Sequence, residues 1–204
     1  MTEWKQPLVS VDVVAVRRDA GVLSFATCER QFEPFVGRAA LPGVLLLTGE
    51  GLSEAAERAV VTKLELPAGS IRHVTQFGAF DGTNRDPRGA TISIGHICAV
   101  ESLAGSATWT PLDAAAGGLP FDHDTIVASA VAEISRRLWA DMPFTRAIIG
   151  PEFTTSEILT VTRQTGARLP DTAKNMARWL RSNDHAESTG LRGRDTVWRW
   201  VSSS

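Results

Sequence analysis

Residues 43–66, with the sequence GVLLLTGEGLSEAAERAVVTKLEL, join a glycine-rich loop to an amphipathic segment. Apolar side chains recur in it every four residues, the spacing that places them on one face of a helix. Ser53 is predicted to cap the helix N-terminus, and Glu54 lies in the first turn, where the helix dipole favours a negative charge. The segment therefore predicts a loop followed by a helix whose apolar face packs on the core. The residues of that face are Leu52, Ala56, Val60 and Leu64.

The same segment resembles the Nudix box, a loop–helix motif in which three glutamates on one helix face hold a divalent metal ion. Glu50 and Arg58 match the family pattern at the family's spacing, and so do the aliphatic residues Val60 and Leu66. An amphipathic helix after a glycine-rich loop could also match by chance, so the flanking segments bear on the interpretation. Because Glu50 and Arg58 match the pattern, we treat both as candidate ligand-binding residues.

The segment departs from the Nudix box at the positions that give the motif its chemistry. Val44 and Glu65 stand where the family has glycines, and Ala59, Thr62 and Lys63 stand where it has the metal-binding glutamates. These three positions share one helix face. Mg²⁺ requires hard oxygen ligands, usually carboxylates, and Lys63 would instead place a positive charge where the cation should lie. The resemblance therefore implies a Nudix scaffold that has no catalytic residues, no metal site and no required cofactor.

The length and composition suit a soluble globular protein. A chain of 204 residues with 43% hydrophobic content can bury a core and suggests one large or two small domains. It contains no apolar run of transmembrane length, and Met1–Trp4 do not begin a signal peptide, so a cytoplasmic location without membrane contact is expected. Cys28 and Cys98 lie in strand-like segments and are predicted to be buried free thiols.

Charge is distributed unevenly along the chain, although the formal net charge is only −2. Of the 21 basic and 23 acidic residues, nine basic and six acidic lie within 144–204, which leaves 12 basic and 17 acidic in 1–143. An acidic N-terminal part joined to a basic C-terminal part suggests two modules with different partners. We place the predicted boundary between an N-terminal domain, 1–142, and a C-terminal domain, 143–204, with 141–150 as a linker.

Four apolar segments of the N-terminal part are predicted to be strands. The first two are joined by a hairpin turn at 17–21, and 106–118 is expected to be a loop. Asp122 is expected to cap a helix that reaches about Ala140. His123 is expected to have a capping or packing role, because its neighbours offer no set of metal ligands. The strands are Leu8–Val16, Val22–Cys28, Ile71–Phe80 and Thr91–Val100.

The polar loop 81–89 resembles the Asp-Arg-Asp-Pro-Arg-Gly loop of ADP-ribose pyrophosphatases and their regulatory relatives, with Asn84 in place of the first acidic residue. Arg85 and Arg88 could meet a pyrophosphate through charge-assisted hydrogen bonds, or brace a dimer interface. A salt-bridged surface loop is the alternative. Arg38 lies where these relatives often have a basic residue; it is a candidate phosphate contact or an ordinary solvated arginine.

The C-terminal part begins with a capping box, in which Thr154 caps a helix and Glu157 lies three residues later. That helix is predicted to end at Gly166, and Asp171 is predicted to cap a second helix that reaches Ser182. Two helices joined by a short turn, the second of which presents basic and amide groups outward, are typical of a helix-turn-helix. The outward side chains are Lys174, Asn175, Arg178 and Arg181.

Residues 187–201 then predict a hairpin with its turn at 190–193 and with Arg192 and Arg194 at the tip. A basic hairpin that follows a recognition helix is typical of a wing, where arginines suit phosphates or the minor groove. The alternative for this part of the chain is a small packing appendage with a solvated charged face.

Taken together, the chain resembles the Nudix-related transcriptional regulators of the NrtR type. This resemblance implies a Nudix α/β/α sandwich with a mixed sheet, followed by a small winged helix-turn-helix domain. It further implies a homodimeric repressor of NAD-related metabolism that binds a double-stranded DNA operator and senses ADP-ribose or a related nucleotide. The strings that carry the resemblance are Phe153–Glu157, Asp171 with Asn175 and Arg178, and Gly193-Arg194 with Trp198-Arg199-Trp200.

Two other functions stay open at this point. One is an ADP-ribose hydrolase with displaced metal ligands, and the other is a nucleotide-binding adaptor whose tail contacts protein. The carboxylates near the box that a hydrolase could use are Glu50, Glu54, Glu57 and Glu65. The candidate ligand-binding residues are Arg38, Glu50, Arg58, Lys63, Arg85 and Arg88, and the candidate DNA-binding residues are Lys174, Asn175, Arg178, Arg181, Arg192 and Arg194.

Overall fold

The computed structural model describes residues 6–83, 85–101, 105–114, 117–168, 172–182 and 185–201. The four predicted strands are confirmed, and the turn of the first hairpin is shorter than predicted because Asp19 pairs with Val22. Only Ala20 and Gly21 form that turn, both with positive φ. The strands of the main sheet are β1 (Leu8–Asp19), β2 (Val22–Glu29), β3 (Ala39–Ala40), β4 (Gly43–Leu45), β5 (Ile71–Phe80), β6 (Thr91–Val100) and β7 (Thr108–Pro111).

The main sheet is mixed. Its strand order is β3-β2-β1-β6-β5, with β4 paired to β1 and β7 paired to β2. The pair β1–β6 is parallel, and the pairs β1–β2 and β5–β6 are antiparallel. Strand β7 lies within 106–118, so the prediction of a loop there is wrong: Trp109 pairs with Ala26, and its ring stacks under Arg17 at 4.1 Å.

Helices cover both faces of this sheet. Side chains alternate along β1, so Val11, Val13 and Ala15 pack in one cluster with α1, whereas Val14 and Val16 pack in another with the remaining helices. Each buried valine stabilises the fold by roughly 1.5 kcal/mol or more. The helices are α1 (Leu52–Leu64), α2 (His123–Arg137), α3 (Met142–Ile149), α4 (Thr155–Thr165) and α5 (Ala173–Ser182).

Helix α1 has the predicted buried face but different ends. Ser53 is not the cap: the capping position is Gly51, whose N–H donates to the Glu54 carboxylate at 2.9 Å. The helix ends at Glu65, which has a left-handed conformation with φ +56°. That conformation explains why a glycine suits this position in the Nudix box, since glycine adopts it without steric strain.

Two predictions for the middle of the chain are wrong. Helix α2 ends at Arg137 instead of Ala140, and residues 141–150, predicted as a linker, contain helix α3. The carboxylate of Asp141 caps α3 by accepting the Phe144 N–H at 3.1 Å. Asp122 occupies the capping position of α2, but its carboxylate makes no cap hydrogen bond and binds Arg85 instead.

The C-terminal helices follow the prediction closely. Thr154 accepts the Glu157 N–H at 3.3 Å, the Glu157 carboxylate accepts the Thr154 N–H at 2.7 Å, and α4 ends at Gly166 with φ +69°. The predicted cap Asp171 lies outside the described residues. Met176 and Leu180 of α5 are buried as expected.

A second, three-stranded antiparallel sheet packs on α4. Its order is β8-β10-β9, and the hairpin turn lies at Gly193-Arg194 instead of 190–193, because Gly190 pairs with Val197. The hydrophobic cluster on this side of β1 continues into the C-terminal helices and strands, where Trp198 is fully buried. The predicted domain boundary at 142/143 stays a prediction. No described helix is both long and apolar enough to cross a membrane. The strands are β8 (Glu152–Thr154), β9 (Ala186–Arg192) and β10 (Asp195–Trp200).

Candidate functional site

A cavity of about 420 Å³ opens between β1, β4, α1 and the loops 81–89 and 30–38. Strand β1 presents Ser10 and Asp12 to it, and β4 forms a wall with Gly43 and its neighbours. A side chain at Gly43 would collide with the Asp12 carboxylate, so this position requires glycine. Five of the charged side chains in the wall are cations and two are carboxylates, so the cavity suits an anion. The cations are Arg30, Arg58, Lys63, Arg85 and Arg88, and the carboxylates are Asp12 and Asp86.

Arg85 lines this cavity but is almost fully buried. Its Nε and Nη2 donate to the two oxygens of Asp122 at 3.0 and 2.7 Å, and Nη2 also contacts Asp12 Oδ2 at 3.3 Å. The Ser93 hydroxyl donates to the same Asp12 oxygen at 2.5 Å. Arg85 therefore ties the 81–89 loop to β1 and to the start of α2, and most of its hydrogen-bonding capacity is used within the protein.

His123 closes the same network from α2. Its Nδ1 accepts the Leu41 N–H at 3.0 Å, and its Nε2 lies 3.7 Å from Asp12 Oδ1. Burial lowers the pKa of His123, so the ring is neutral at pH 7. An accepting Nδ1 assigns the proton to Nε2, which faces Asp12. His123 thus holds the Leu41-Pro42-Gly43 segment against β1, a packing role of the kind the sequence predicts.

Two more arginines of the cavity are paired with carboxylates. Arg58 donates to both oxygens of Glu50 at 2.6 and 2.7 Å, and these hydrogen bonds lower the pKa of Glu50 to about 2. Arg88 binds Asp86 through Nε at 3.0 Å and Nη2 at 2.7 Å, while about half of its side chain stays exposed. The Nudix-box pair Glu50–Arg58 therefore fixes the loop before α1, because Arg58 also donates to the Leu45 carbonyl at 2.9 Å.

Lys63 and Arg30 differ from these arginines. Lys63 is half-buried, lines this cavity and an adjoining one of about 460 Å³, and forms no ion pair or hydrogen bond with any described residue. Arg30 lies over the ring of Phe121 at 4.6 Å and donates to the carbonyls of Phe32 and Pro34. No described carboxylate forms an ion pair with it. Arg30, Phe32 and Phe121 were not predicted as site residues; only the position of Arg30, at the end of a strand, could have indicated it.

The remaining predicted ligand-binding residue, Arg38, lies outside both cavities. It is exposed, donates to the Gly118 carbonyl, and lies 5.5 Å from the ring of Phe35. Phe35 in turn meets Phe121 edge-to-face at 5.1 Å between centroids. Arg38 thus braces the aromatic rim of the cavity from the outside.

The residues that correspond to the metal site do not fit a divalent cation. Ala59 offers a buried methyl group, Thr62 donates its hydroxyl to the Arg58 carbonyl at 2.7 Å, and Lys63 offers an ammonium. Within the described residues, no three His, Cys, Asp or Glu side chains are placed to hold a metal ion. The donor chemistry therefore disagrees with the metal that a Nudix fold usually implies.

The carboxylates that a hydrolase could use are also dispersed. Glu50 is held by Arg58, and Glu54 binds the N-terminus of α1. Glu57 is exposed, and Glu65 is an exposed residue just beyond the end of α1. None of these four side chains lines either cavity except Glu65, which borders the adjoining one.

Helix α5 presents a second cationic surface. Met176 and Leu180 anchor it in the core, and the opposite face is exposed to solvent. Residues 174, 178 and 181 are spaced at i, i+4 and i+7, so their basic side chains line one face. Arg181 also lies over the Trp198 ring at 5.1 Å, which links this face to the hairpin. The exposed side chains of the face are Lys174, Asn175, Arg178 and Arg181.

The two arginines of the β9–β10 hairpin have different surroundings. Arg194 lies in the turn and is exposed. Arg192 folds back on the protein, where its guanidinium contacts Glu152 Oε1 at 3.1 Å and Glu157 Oε1 at 3.4 Å. Arg194 is therefore available to a partner as the structure stands, whereas Arg192 would first have to leave two carboxylates.

The fold is shared with solved structures. NrtR of Shewanella oneidensis in complex with a 27mer DNA is similar at a TM-score of 0.74 and 21% identity, over 95% of this chain and 93% of that one. A MutT/nudix family protein from Enterococcus faecalis gives 0.72 and 19%, over 98% of this chain and 90% of that one. The NUDIX domain of the Shewanella protein in complex with ADP ribose gives 0.53 and 24%, over 64% and 90%.

This chain has the NrtR-type Nudix fold. The mixed-sheet α/β class predicted from the sequence is thereby confirmed over nearly the whole chain. No protein-family model and no curated protein matches the sequence. The structural similarity, at 19–24% identity, establishes the fold; the function is argued below from the residues.

Proposed function

We propose that this protein is a DNA-binding transcriptional regulator whose Nudix-fold domain binds ADP-ribose or a related nucleotide. The observation that carries the proposal is the pairing, in one chain, of a cationic cavity with an exposed basic helix face beside a hairpin. This chain matches the NrtR structure that contains DNA over nearly the full length of that protein. It also matches the NUDIX domain of that protein in complex with ADP ribose. These similarities support both partners.

The DNA contacts are assigned to α5 and to the hairpin turn. A helix that is anchored by Met176 and Leu180 presents its basic face rigidly, as a recognition helix in the major groove requires. We propose that Arg178 contacts a base edge or a phosphate and that Arg194 contacts the backbone or the minor groove. Arg192 makes its contact only after it leaves Glu152 and Glu157.

A homodimer completes the proposal. Two copies related by a two-fold axis would present two such helices to a palindromic operator, about one helical turn of DNA apart. Nucleotide binding would favour one arrangement of the dimer, so the affinity for DNA would differ between the ligand-bound and the ligand-free protein. We further propose that the protein is a repressor of NAD-related genes and that ligand binding releases it from DNA.

The Nudix domain is proposed to be inactive as a hydrolase, because the carboxylates near the box are dispersed and the metal-site positions carry a methyl, a hydroxyl and an ammonium. Incubation of the protein with ADP-ribose and Mg²⁺ or Mn²⁺, followed by chromatography, should yield no AMP above a protein-free control. Production of AMP at an enzymatic rate would replace this proposal by the hydrolase function.

The DNA-binding assignment is tested with matched arginine variants. Fluorescence anisotropy on DNA from upstream of the protein's own gene should show that Arg178→Ala and Arg194→Ala each weaken binding by about tenfold or more. Each should also reduce the slope of log affinity against log salt by about one. Arg136→Ala is the control, since Arg136 is an exposed arginine of α2 that pairs with Glu133.

Equal losses in all three variants would mean that binding reflects net charge alone. Unchanged binding in the Arg178→Ala, Arg194→Ala double variant would refute the recognition assignment. A tail that contacts protein instead of DNA would show no preference for the upstream DNA over a scrambled duplex at any salt concentration.

A further inference from the structure

The wall of the ligand cavity contains more positive charge than its carboxylates neutralise. Arg58 is bound by Glu50, Arg88 by Asp86, and Arg85 by Asp122 and Asp12, so each of these arginines has its counter-ion inside the protein. Lys63 and Arg30 form no ion pair with a described residue, although Asp86 and Asp12, already engaged by Arg88 and Arg85, attract Arg30 from a greater distance. A bound anion would supply the missing counter-charge at these two side chains.

Lys63 is positioned to meet such an anion. It lies in the last turn of α1, next to the final residue Leu64, and lines both the main cavity and the adjoining one. The two cavities share Arg30, Phe32, Leu41, Gly43 and Lys63, so the ammonium stands where they meet. A half-buried ammonium loses part of its hydration, and a ligand oxygen that accepts its hydrogen bonds would replace that hydration.

Arg30 is the second fixed cation of the pair. The carbonyls of Phe32 and Pro34 accept hydrogen bonds from its Nη2 and Nε, and the ring of Phe121 supports its flat face at 4.6 Å. These contacts hold the guanidinium in place before any ligand arrives. A preorganised arginine binds a phosphate at a smaller entropic cost than a freely rotating one.

We infer that Lys63 replaces a divalent cation in this cavity and, with Arg30, binds the diphosphate group of a nucleotide directly. The inference rests on the proposed nucleotide-binding function and deepens it. The helix positions where a Nudix fold would hold the metal do not supply carboxylates, and one of them supplies the ammonium itself. Binding of a diphosphate-containing nucleotide is therefore independent of divalent metal, in contrast to a site in which the metal bridges the protein and the phosphates.

The test measures the affinity for ADP-ribose by isothermal titration calorimetry, once with excess EDTA and once with millimolar Mg²⁺. The unaltered protein should give the same Kd in both conditions within about twofold. Lys63→Met should weaken binding by about 10- to 100-fold in both conditions, which corresponds to the loss of one charge-assisted hydrogen bond. Lys63→Arg should retain binding within a few-fold, because it keeps the charge. Arg136→Ala serves as a control for net charge, and thermal melting confirms that each variant is folded.

Two outcomes would overturn the inference: binding that falls more than tenfold in EDTA, or Lys63→Met binding as tightly as the unaltered protein. Inorganic pyrophosphate separates this inference from the proposed function. If pyrophosphate binds with the same dependence on Lys63 and ADP-ribose does not bind, the diphosphate site stands and the nucleotide assignment fails. If neither binds, the inference itself is wrong.

Discussion

The Arg18 guanidinium of β1 and the Glu157 carboxylate of α4 form an ion pair with 3.0 Å between Nη1 and Oε2. Arg18 also donates to the carbonyls of Ile149 and Glu152, which flank the entry to α4. Glu157 is the residue that completes the capping box with Thr154. The first strand of the Nudix fold thus holds the N-terminus of the first C-terminal helix.

This contact should contribute strongly to stability, because both side chains are mostly buried. We expect Arg18→Ala to lower the free energy of unfolding by about 3 kcal/mol, since it removes the nearest counter-ion of the mostly buried Glu157 and a side-chain donor to two carbonyls. Arg192→Ala, which removes a largely exposed arginine from the same Glu157, should cost less than about 1 kcal/mol. Urea denaturation compares the two, and equal losses would contradict the structural role of Arg18.

Arg85 should also stabilise the protein in the absence of any ligand. Its paired hydrogen bonds to Asp122 require the planar guanidinium, so Arg85→Lys is expected to cost about 2–3 kcal/mol. Arg88→Lys is the control, because the Arg88 side chain is half exposed, and should cost less than about 1 kcal/mol. Thermal melting of the ligand-free variants measures this, and an unchanged melting temperature for Arg85→Lys would show that the buried network contributes little.

The left-handed conformation of Glu65 offers a stabilising substitution. An L-residue pays roughly 1 kcal/mol for this conformation, and glycine does not. We therefore expect Glu65→Gly to raise the melting temperature by about 2–4 °C, as a gain of about 1 kcal/mol does for a chain of this size. Glu65→Ala keeps the strain and should give no gain. A loss of stability in Glu65→Gly would mean that the glutamate side chain makes a contact that outweighs the strain.

The strands and the ends of the helices illustrate what the sequence could and could not establish. Apolar spacing predicted the strands and the buried face of α1, because such patterns depend only on local geometry. The start of α2 depended on a tertiary partner, since Asp122, a plausible cap, binds Arg85 instead. The start of α3 is a local signal that the linker prediction missed, because Asp141 accepts the Phe144 N–H three residues later. Strand β7 is short, and its pairing with β2 decides its conformation more than its own residues do.

The candidate site was predictable only in part, because motifs indicate its residues but not their partners. The Nudix box and the 81–89 loop indicated Arg58, Lys63, Arg85 and Arg88, all of which line one cavity. No sequence pattern shows which of these cations already has a counter-ion. Asp12 lies on β1 among apolar residues, and only the fold brings it to Arg85.

Buried histidines should make stability depend on pH. Burial lowers the pKa of the buried His96 and His123 and of the half-buried His73, so each ring gains its proton at a lower pH in the folded protein than in the unfolded chain. Their contribution is fully present above the unfolded pKa of about 6.5 and is lost as the pH falls below it. Each such histidine can change the free energy of unfolding by at most about 1.4 kcal/mol per pH unit.

His123→Gln tests this pH dependence, because an amide oxygen can accept the Leu41 N–H without titrating. Chemical denaturation of the variant at several pH values between 6.5 and 5 should show a smaller slope of the free energy of unfolding against pH than that of the unaltered protein. At pH 8 the free energy of unfolding of both proteins should be nearly independent of pH. An unchanged slope in the variant would show that His123 is protonated in the folded state.

The most direct test of the central claim is fluorescence anisotropy of the protein on DNA from upstream of its own gene, with scrambled DNA as the control, repeated with millimolar ADP-ribose. We expect tight binding to the upstream DNA, weaker binding to the scrambled duplex, and a tenfold or larger loss of affinity when ADP-ribose is present. Specific binding that ADP-ribose does not alter would reject this effector and keep the DNA-binding function. Equal affinity for both DNAs at every salt concentration would contradict the account of a ligand-responsive regulator.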